Sequence, residues 1–176
     1  QANPSALHIS GRGADRTAQL DCATDPCAEV LPGAERFVKP EGKPYAEGFD
    51  AAGKALGWVV LSTDVVHVKG YSSKPLHTVI GIDPDGFITG GKVIYHSEPI
   101  LLVGIPESKL DDFVNAHRGV RADESVVVGR TADGAKRIDA VSGATVTVLA
   151  ESRTIMESAR VVTEDVGVIT GAARVP

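Results

Sequence analysis

Between a polar turn and a long amphipathic stretch, the chain reads Asp139-Ala-Val-Ser142-Gly143-Ala144-Thr145-Val-Thr147. Ser142, Gly143 and Ala144 are small enough for a ligand to approach the backbone closely. The first-turn amides of a helix have no intrahelical acceptor. They favour an anion by about 0.3–1 kcal/mol per charge through the macrodipole, and a phosphate is the natural guest. The same residues also describe an ordinary helix start, with Ser142 or Thr145 accepting a backbone N–H and no ligand present. Spacing by itself favours that plainer reading, because many helices begin with Ser, Gly or Thr.

A second group is His96-Ser-Glu98, spaced i, i+2. On a strand the two side chains share a face, as a site pair or as a surface pair. His67 and His77 read as structural strand residues, His8 and His117 as solvated, and Trp58 as core. Cys22 and Cys27 are the two cysteines of the chain. The Asp25-Pro26 turn between them can bring their Cα atoms within disulfide range, which would indicate an oxidising compartment; two unrelated thiols is the alternative. Four zinc ligands are not assembled by this spacing. Nor does a hydrolase emerge: no Gly-x-Ser-x-Gly elbow occurs and no His is placed as a base for Ser142 or Thr145. Gly11-Arg-Gly13 lacks the preceding strand and third glycine of a dinucleotide fingerprint.

The elements that must position these residues follow from composition and pattern. The chain has 176 residues, 43% of them hydrophobic, enough to bury the core of one domain. With 18 Lys and Arg against 23 Asp and Glu, the net charge of −5 excludes a phosphate-neutralising nucleic-acid binder and an electrostatic membrane anchor. No apolar run approaches the roughly 18 residues that span a bilayer. The chain starts at Gln1, so either a leader has been removed or the chain is a piece of something larger. Residues 1–20 read as a flexible N-terminal arm, 21–165 as the folded domain and 166–176 as a tail.

Two segments, Asp50-Ala-Ala-Gly53 and Asp83-Pro-Asp-Gly86, carry the turn chemistry of hairpins. Strands are expected over Leu56–Leu61, His77–Ile82 and Phe87–Tyr95, with Val120–Val128 strand-like and Thr131–Lys136 a polar turn. Ile100–Ile105 has the length of a core strand. A helical turn is expected over Cys27–Leu31, and helices over Glu107–Val114 and Thr145–Thr163, the last from apolar positions Val148, Leu149, Ile155, Met156, Ala159 and Val162. The fold class is α+β: a twisted antiparallel hairpin meander with a few packed helices.

The run Asp139-x-x-Ser142-Gly143-Ala144-Thr145 resembles the flavinylation motif of the FMN-binding domain family found in NqrC, RnfG and NosR membrane proteins. Gly70-Tyr71, Val79–Asp83, Asp85-Gly86 and His96-Ser-Glu98 are similar to that family's pattern in the same order. The family's usual Glu-Thr-Pro-Gly is replaced by Glu98-Pro-Ile-Leu-Leu-Val-Gly-Ile-Pro106. Together with Cys22-x4-Cys27 and Val30-Leu-Pro-Gly33, this version resembles the NosR branch.

The resemblance implies FMN linked through a phosphodiester to Thr145 by a flavin transferase that takes FMN from FAD, with Thr147 a minor alternative. It implies an apolar ring wall from Tyr71, Ile100 and Leu101, and polar contacts from His96 and Glu98. It further implies a periplasmic electron-transfer domain, catalysing nothing alone, within a membrane protein that serves nitrous oxide reductase or its electron supply. Residues 166–176 would lead toward a membrane segment. A flavin-free periplasmic docking domain is the competing function.

Overall fold

The computed structural model describes residues 19–169. Most of the expected arm, with His8 and Gly11-Arg-Gly13, and all but the start of the tail lie outside the described residues.

The two aspartate turns fold as their chemistry requires. Asp50 Oδ1 accepts the amides of Ala52 and Lys54 at 2.9 and 2.8 Å, and Asp83 Oδ1 those of Asp85 and Phe87 at 2.9 and 3.0 Å. Gly53 and Gly86 follow at φ +88° and +92°, conformations that side chains disfavour. Each turn closes a hairpin: β2 (Tyr45–Phe49) with β3 (Ala55–Leu61), and β4 (His77–Ile82) with β5 (Ile88–Tyr95). With β1 (Arg36–Val38) they form a five-stranded antiparallel meander in sequence order. The α+β class expected from sequence is the class observed.

Both faces of the sheet are buried. On one lies α1 (Cys27–Val30), over Val59, Leu61, Val79 and Ile94. On the other, α3 (Glu107–Asn115) and α4 (Thr145–Asp165) cover Val60, Ile80, Ile82 and Val93 with Leu110, Val114, Ile155 and Val162. Thr145 is the first residue of α4, as its periodicity predicts. Cys22 and Cys27 form a disulfide with Cα atoms 5.4 Å apart. At the edges of the described chain, Leu20 and Ile169 are both buried.

Four expectations are corrected. Ile100–Ile105 is not a strand: Pro99 supplies a fixed φ at a helix start, and Pro99–Val103 forms the short helix α2. Of Val120–Val128 only β6 (Ser125–Val128) is a strand, while Arg121 bridges Phe87. β6 pairs in parallel with β7 (Ala135–Ile138), so the expected turn at 131–136 runs into a strand. Gly129 and Gly134, at φ +75° and +76°, bend the intervening loop back. The histidines also change places. His67 is exposed, whereas His117 is buried, its Nδ1 3.1 Å from the Phe113 and Val114 carbonyls and its Nε2 2.9 Å from Ser152 Oγ. Burial lowers its pKa against the opposing pull of those carbonyls.

Candidate functional site

The site forms where the Ser142-Gly143-Ala144 loop delivers the chain into α4. Gly143, at φ +84°, makes the turn, and Ala144 is buried against Phe113, Ile138 and Val148. No side chain caps the helix, so the plain N-cap reading of Ser142 or Thr145 is not what the structure adopts. Thr145 is exposed and Thr147 buried, a consequence of two positions' rotation about a helix axis.

Thr145 and Thr147 border an open cleft of about 570 Å³ together with Tyr71, Pro99, Ile100, Val103, Gly143, Ala144 and Val146. Its size lies in the range of small-molecule sites, about 300–1,000 Å³. Tyr71 is 69% exposed and Val103 89%.

Glu98 is wholly buried (0% exposed) between the cleft's two sides. Its Oε1 accepts the Tyr71 amide and the Thr147 hydroxyl, each at 2.7 Å, and its Oε2 accepts the Ser72 amide at 3.0 Å. Burial alone would raise its pKa, but the hydrogen bonds from Thr147, Ser72 and Tyr71 outweigh burial and hold it below the ordinary carboxylate value. His96 lies beyond the end of β5, is buried, and accepts the Glu98 amide on Nδ1 at 3.1 Å. Its Nε2 is buried with no hydrogen-bond partner among the described residues. Burial lowers the His96 pKa, opposed by the Glu98 charge, and with Nδ1 accepting an amide the ring proton belongs on Nε2. His96 and Glu98 are therefore not the solvated surface pair that was one of the two sequence readings.

Of the residues singled out in the sequence, the cleft unites Tyr71, Ile100, Gly143, Ala144, Thr145 and Thr147. Ser142 and Asp139 are exposed on the approach to α4, Asp139 pairing with Arg137. Leu101, expected in the apolar wall, is buried in the core; Pro99 and Val103 stand in its stead because this segment is helical.

Sequence reasoning missed Glu151, which is wholly buried one turn after Thr147. Its Oε2 accepts the Thr78 hydroxyl at 2.7 Å. Burial, reinforced by the Glu98 charge and only partly opposed by that hydrogen bond, pushes its pKa up to about 8, so it is a neutral acid near pH 7. The signal was present: Glu151 stands three residues after Val148 and four before Ile155, on the apolar stripe itself.

The sequence comparisons agree on the family. The FMN-binding domain family matches residues 70–161, more than half of the chain. The regulatory protein NosR of Pseudomonas aeruginosa is 41% identical over 143 residues, and that of Stutzerimonas stutzeri 38% over 146, covering 81% and 82% of this chain. The matched region spans about one fifth of those relatives, 20% of each. The crystal structure of Shewanella oneidensis NqrC aligns at 22% identity and a TM-score of 0.48, over 79% of this chain and 70% of that one. With the matched segment running from the Gly70-Tyr71 turn to the body of α4, this chain belongs to the FMN-binding domain family.

Proposed function

We propose that this domain carries FMN on Thr145 through a phosphodiester and passes electrons within a NosR-like membrane protein that supports nitrous oxide reduction. One observation carries the reading: of the two threonines in the motif, only Thr145 is exposed, at an uncapped helix start that borders an apolar cleft. Thr147 is 1% exposed and donates its hydroxyl to Glu98, which removes it as an acceptor.

The residues present fit such a cofactor. A diester at Thr145 bears one negative charge where the first-turn amides of α4 favour it. Tyr71, Pro99, Ile100, Val103 and Val146 offer the apolar surface a tricyclic ring needs. In the attachment step, supplied by a flavin transferase, the Thr145 Oγ–P bond forms as the pyrophosphate bond of FAD breaks. AMP leaves, the hydroxyl proton passes to solvent, and no electron changes hands. Once bound, FMN supplies exchange between two-electron and one-electron partners. The chain's part is to tether, orient and partly desolvate it. The Cys22–Cys27 disulfide accords with a periplasmic setting, where covalent attachment prevents loss of the cofactor.

The test is co-expression with the transferase, followed by intact mass. The expected result is a gain of one FMN less water, a yellow colour that survives denaturation, and neither in Thr145→Val. An unshifted wild-type mass beside a transferase active on another substrate would overturn the reading in favour of a flavin-free docking domain.

A further inference from the structure

The turn that supplies the Tyr71 wall is closed by its own backbone but is tied to the body of the protein by a side chain from elsewhere. Gly70 and Lys74 exchange one backbone bond of 2.9 Å, Ser73 closes on Gly70 at 3.0 Å, and Ser73 takes φ +69°, a conformation uncommon outside glycine. What fixes this turn to the body of the protein is the Glu98 carboxylate. It accepts two successive turn amides, and with the same Oε1 it accepts Thr147 Oγ1 from the far side of the cleft. Gly70 makes the approach feasible: a Cβ there would sit 2.7 Å from Glu98 Cδ, Oε1 and Oε2 alike.

We propose that Glu98 is the positioning residue of the site: a buried carboxylate that clasps the Tyr71 turn to Thr147 and so sets the spacing between the ring wall and the tether at Thr145. The proposal rests on FMN attachment at Thr145 as read above, but the clasp itself is testable without cofactor. Because the clasp is an anion bonded directly to two cleft residues, Tyr71 and Thr147, it does more than hold. It places a fixed negative charge behind the cleft wall, where it would disfavour an added electron on a flavin held in the cleft. Hydrogen bonds to a charged acceptor are the strong ones, and breaking one in this buried place leaves an amide unsatisfied.

Three variants separate the parts. Glu98→Gln removes the charge and at least one acceptor. Thr147→Val keeps the charge and cuts the arm to α4. Thr147→Ser restores the hydroxyl and serves as the conservative rescue. In the cofactor-free chain, hydrogen exchange at the Tyr71 and Ser72 amides should accelerate about tenfold or more in Glu98→Gln, the size expected for losing a charge-assisted hydrogen bond. In flavinylated protein, Glu98→Gln should raise the midpoint potential, Thr147→Val should alter the visible circular dichroism of the flavin, and Thr147→Ser should return the wild-type spectrum.

Unchanged exchange at both amides in Glu98→Gln would overturn the clasp, whatever the fate of the cofactor. Faster exchange with wild-type potential and spectrum in both Glu98→Gln and Thr147→Val would overturn its positioning role and leave a merely structural one. Should Glu98→Gln fail to fold, the spectra of Thr147→Val and Thr147→Ser decide alone. If wild-type protein takes up no flavin, the attachment reading fails while the exchange result still judges the clasp.

Discussion

The two covers of the sheet are built on opposite principles. Over one face, the short α1 and its flanking residues Leu20, Leu31 and Ala34 form the cover, and the fit is steric and apolar. The Val30 carbonyl seats against Gly81 and Gly90, accepts Thr89 Oγ1 at 2.6 Å, and the Cys22–Cys27 disulfide closes the segment. Over the other face, the 21-residue α4 buries polar groups along its length: Thr147 on Glu98, Glu151 on Thr78, Ser152 on His117. An apolar seal of that area would be more stable, since buried charges and acids rarely repay their desolvation. The polar face is also the one whose helix begins at the cleft. The α1 face is sealed by apolar contact, and the cleft opens on the face that combines a large apolar core with buried polar groups.

The sharpest way to expose that difference is through pH. Glu151 is protonated in the folded protein up to about pH 8, whereas a free glutamate loses its proton near pH 4.3. Between those values the folded state binds the proton and the unfolded state does not, so stability falls as pH rises. Its contribution is complete below the unfolded pKa and lost by the folded one. The slope is about 1.4 kcal/mol per pH unit, several kcal/mol across the window. Glu151→Gln imitates the neutral acid and can still accept from Thr78. Its stability advantage over wild type should therefore grow steadily from pH 5 to pH 8 in urea titrations. A pH-independent difference between the two proteins would show that Glu151 ionises normally and that the polar face carries no such burden.

On the sealed face the corresponding probe is steric. A Cβ at Gly81 would lie 2.1 Å from the Val30 carbonyl oxygen and 2.7 Å from its carbon, and neither atom is the free end of a flexible side chain. Gly81→Ala should cost at least about 3 kcal/mol, the upper part of the usual overpacking range, because α1 must lift from the sheet. The urea midpoint of Gly81→Ala, set beside that of wild type, measures it. Flavin attachment at Thr145 in the remaining folded protein should proceed as in wild type. A loss below about 1 kcal/mol would mean that α1 seats loosely and that the contrast between the faces is overstated.

Legibility from sequence followed the same division. Turn chemistry and strong periodicity were readable: the two aspartate–glycine hairpins, the whole of β4, and the start of α4 at Thr145 all fall where local rules put them. The motif residues were readable too, as a junction able to receive an anion, though spacing alone could not choose between a ligand and a cap. Long-range decisions were not. Glu98 reads as a strand-face carboxylate until the fold brings the Tyr71 turn to it across 27 positions. His117 reads as solvated until Ser152 meets it from α4. The apolar run after Glu98 contains no local mark of its environment beyond Pro99, whose helix-starting role outweighs the strand-like composition that follows. Parallel pairing of β6 with β7 was hidden because it depends on a short loop doubling back at Gly129 and Gly134 rather than on alternation.

The smallest expected effect sharpens the comparison further. Cys22 and Cys27 are five positions apart, so the loop they close restricts the unfolded chain only modestly, by about 2 kcal/mol in the chain-entropy account. Local bonds retain part of that order after reduction: Asp25 Oδ2 accepts the Asp21 amide at 2.8 Å, and the Asp25 amide reaches the Asp21 carbonyl at 2.7 Å. The double variant Cys22→Ser, Cys27→Ser should consequently lose about 1–2 kcal/mol, less than Gly81→Ala, because the steric seat of Val30 on Gly81 and Gly90 survives without the sulfur bridge. Its flavinylation yield and flavin spectrum should match those of wild type, since every group that lines or clasps the cleft lies on the opposite cover or its connecting loops. If opening the bridge altered the flavin spectrum as strongly as Thr147→Val does, the two faces would be energetically coupled through the sheet. The division between a sealed half and a working half would then fail, and Val79 and Gly81, which lie between them in β4, would be where that coupling runs.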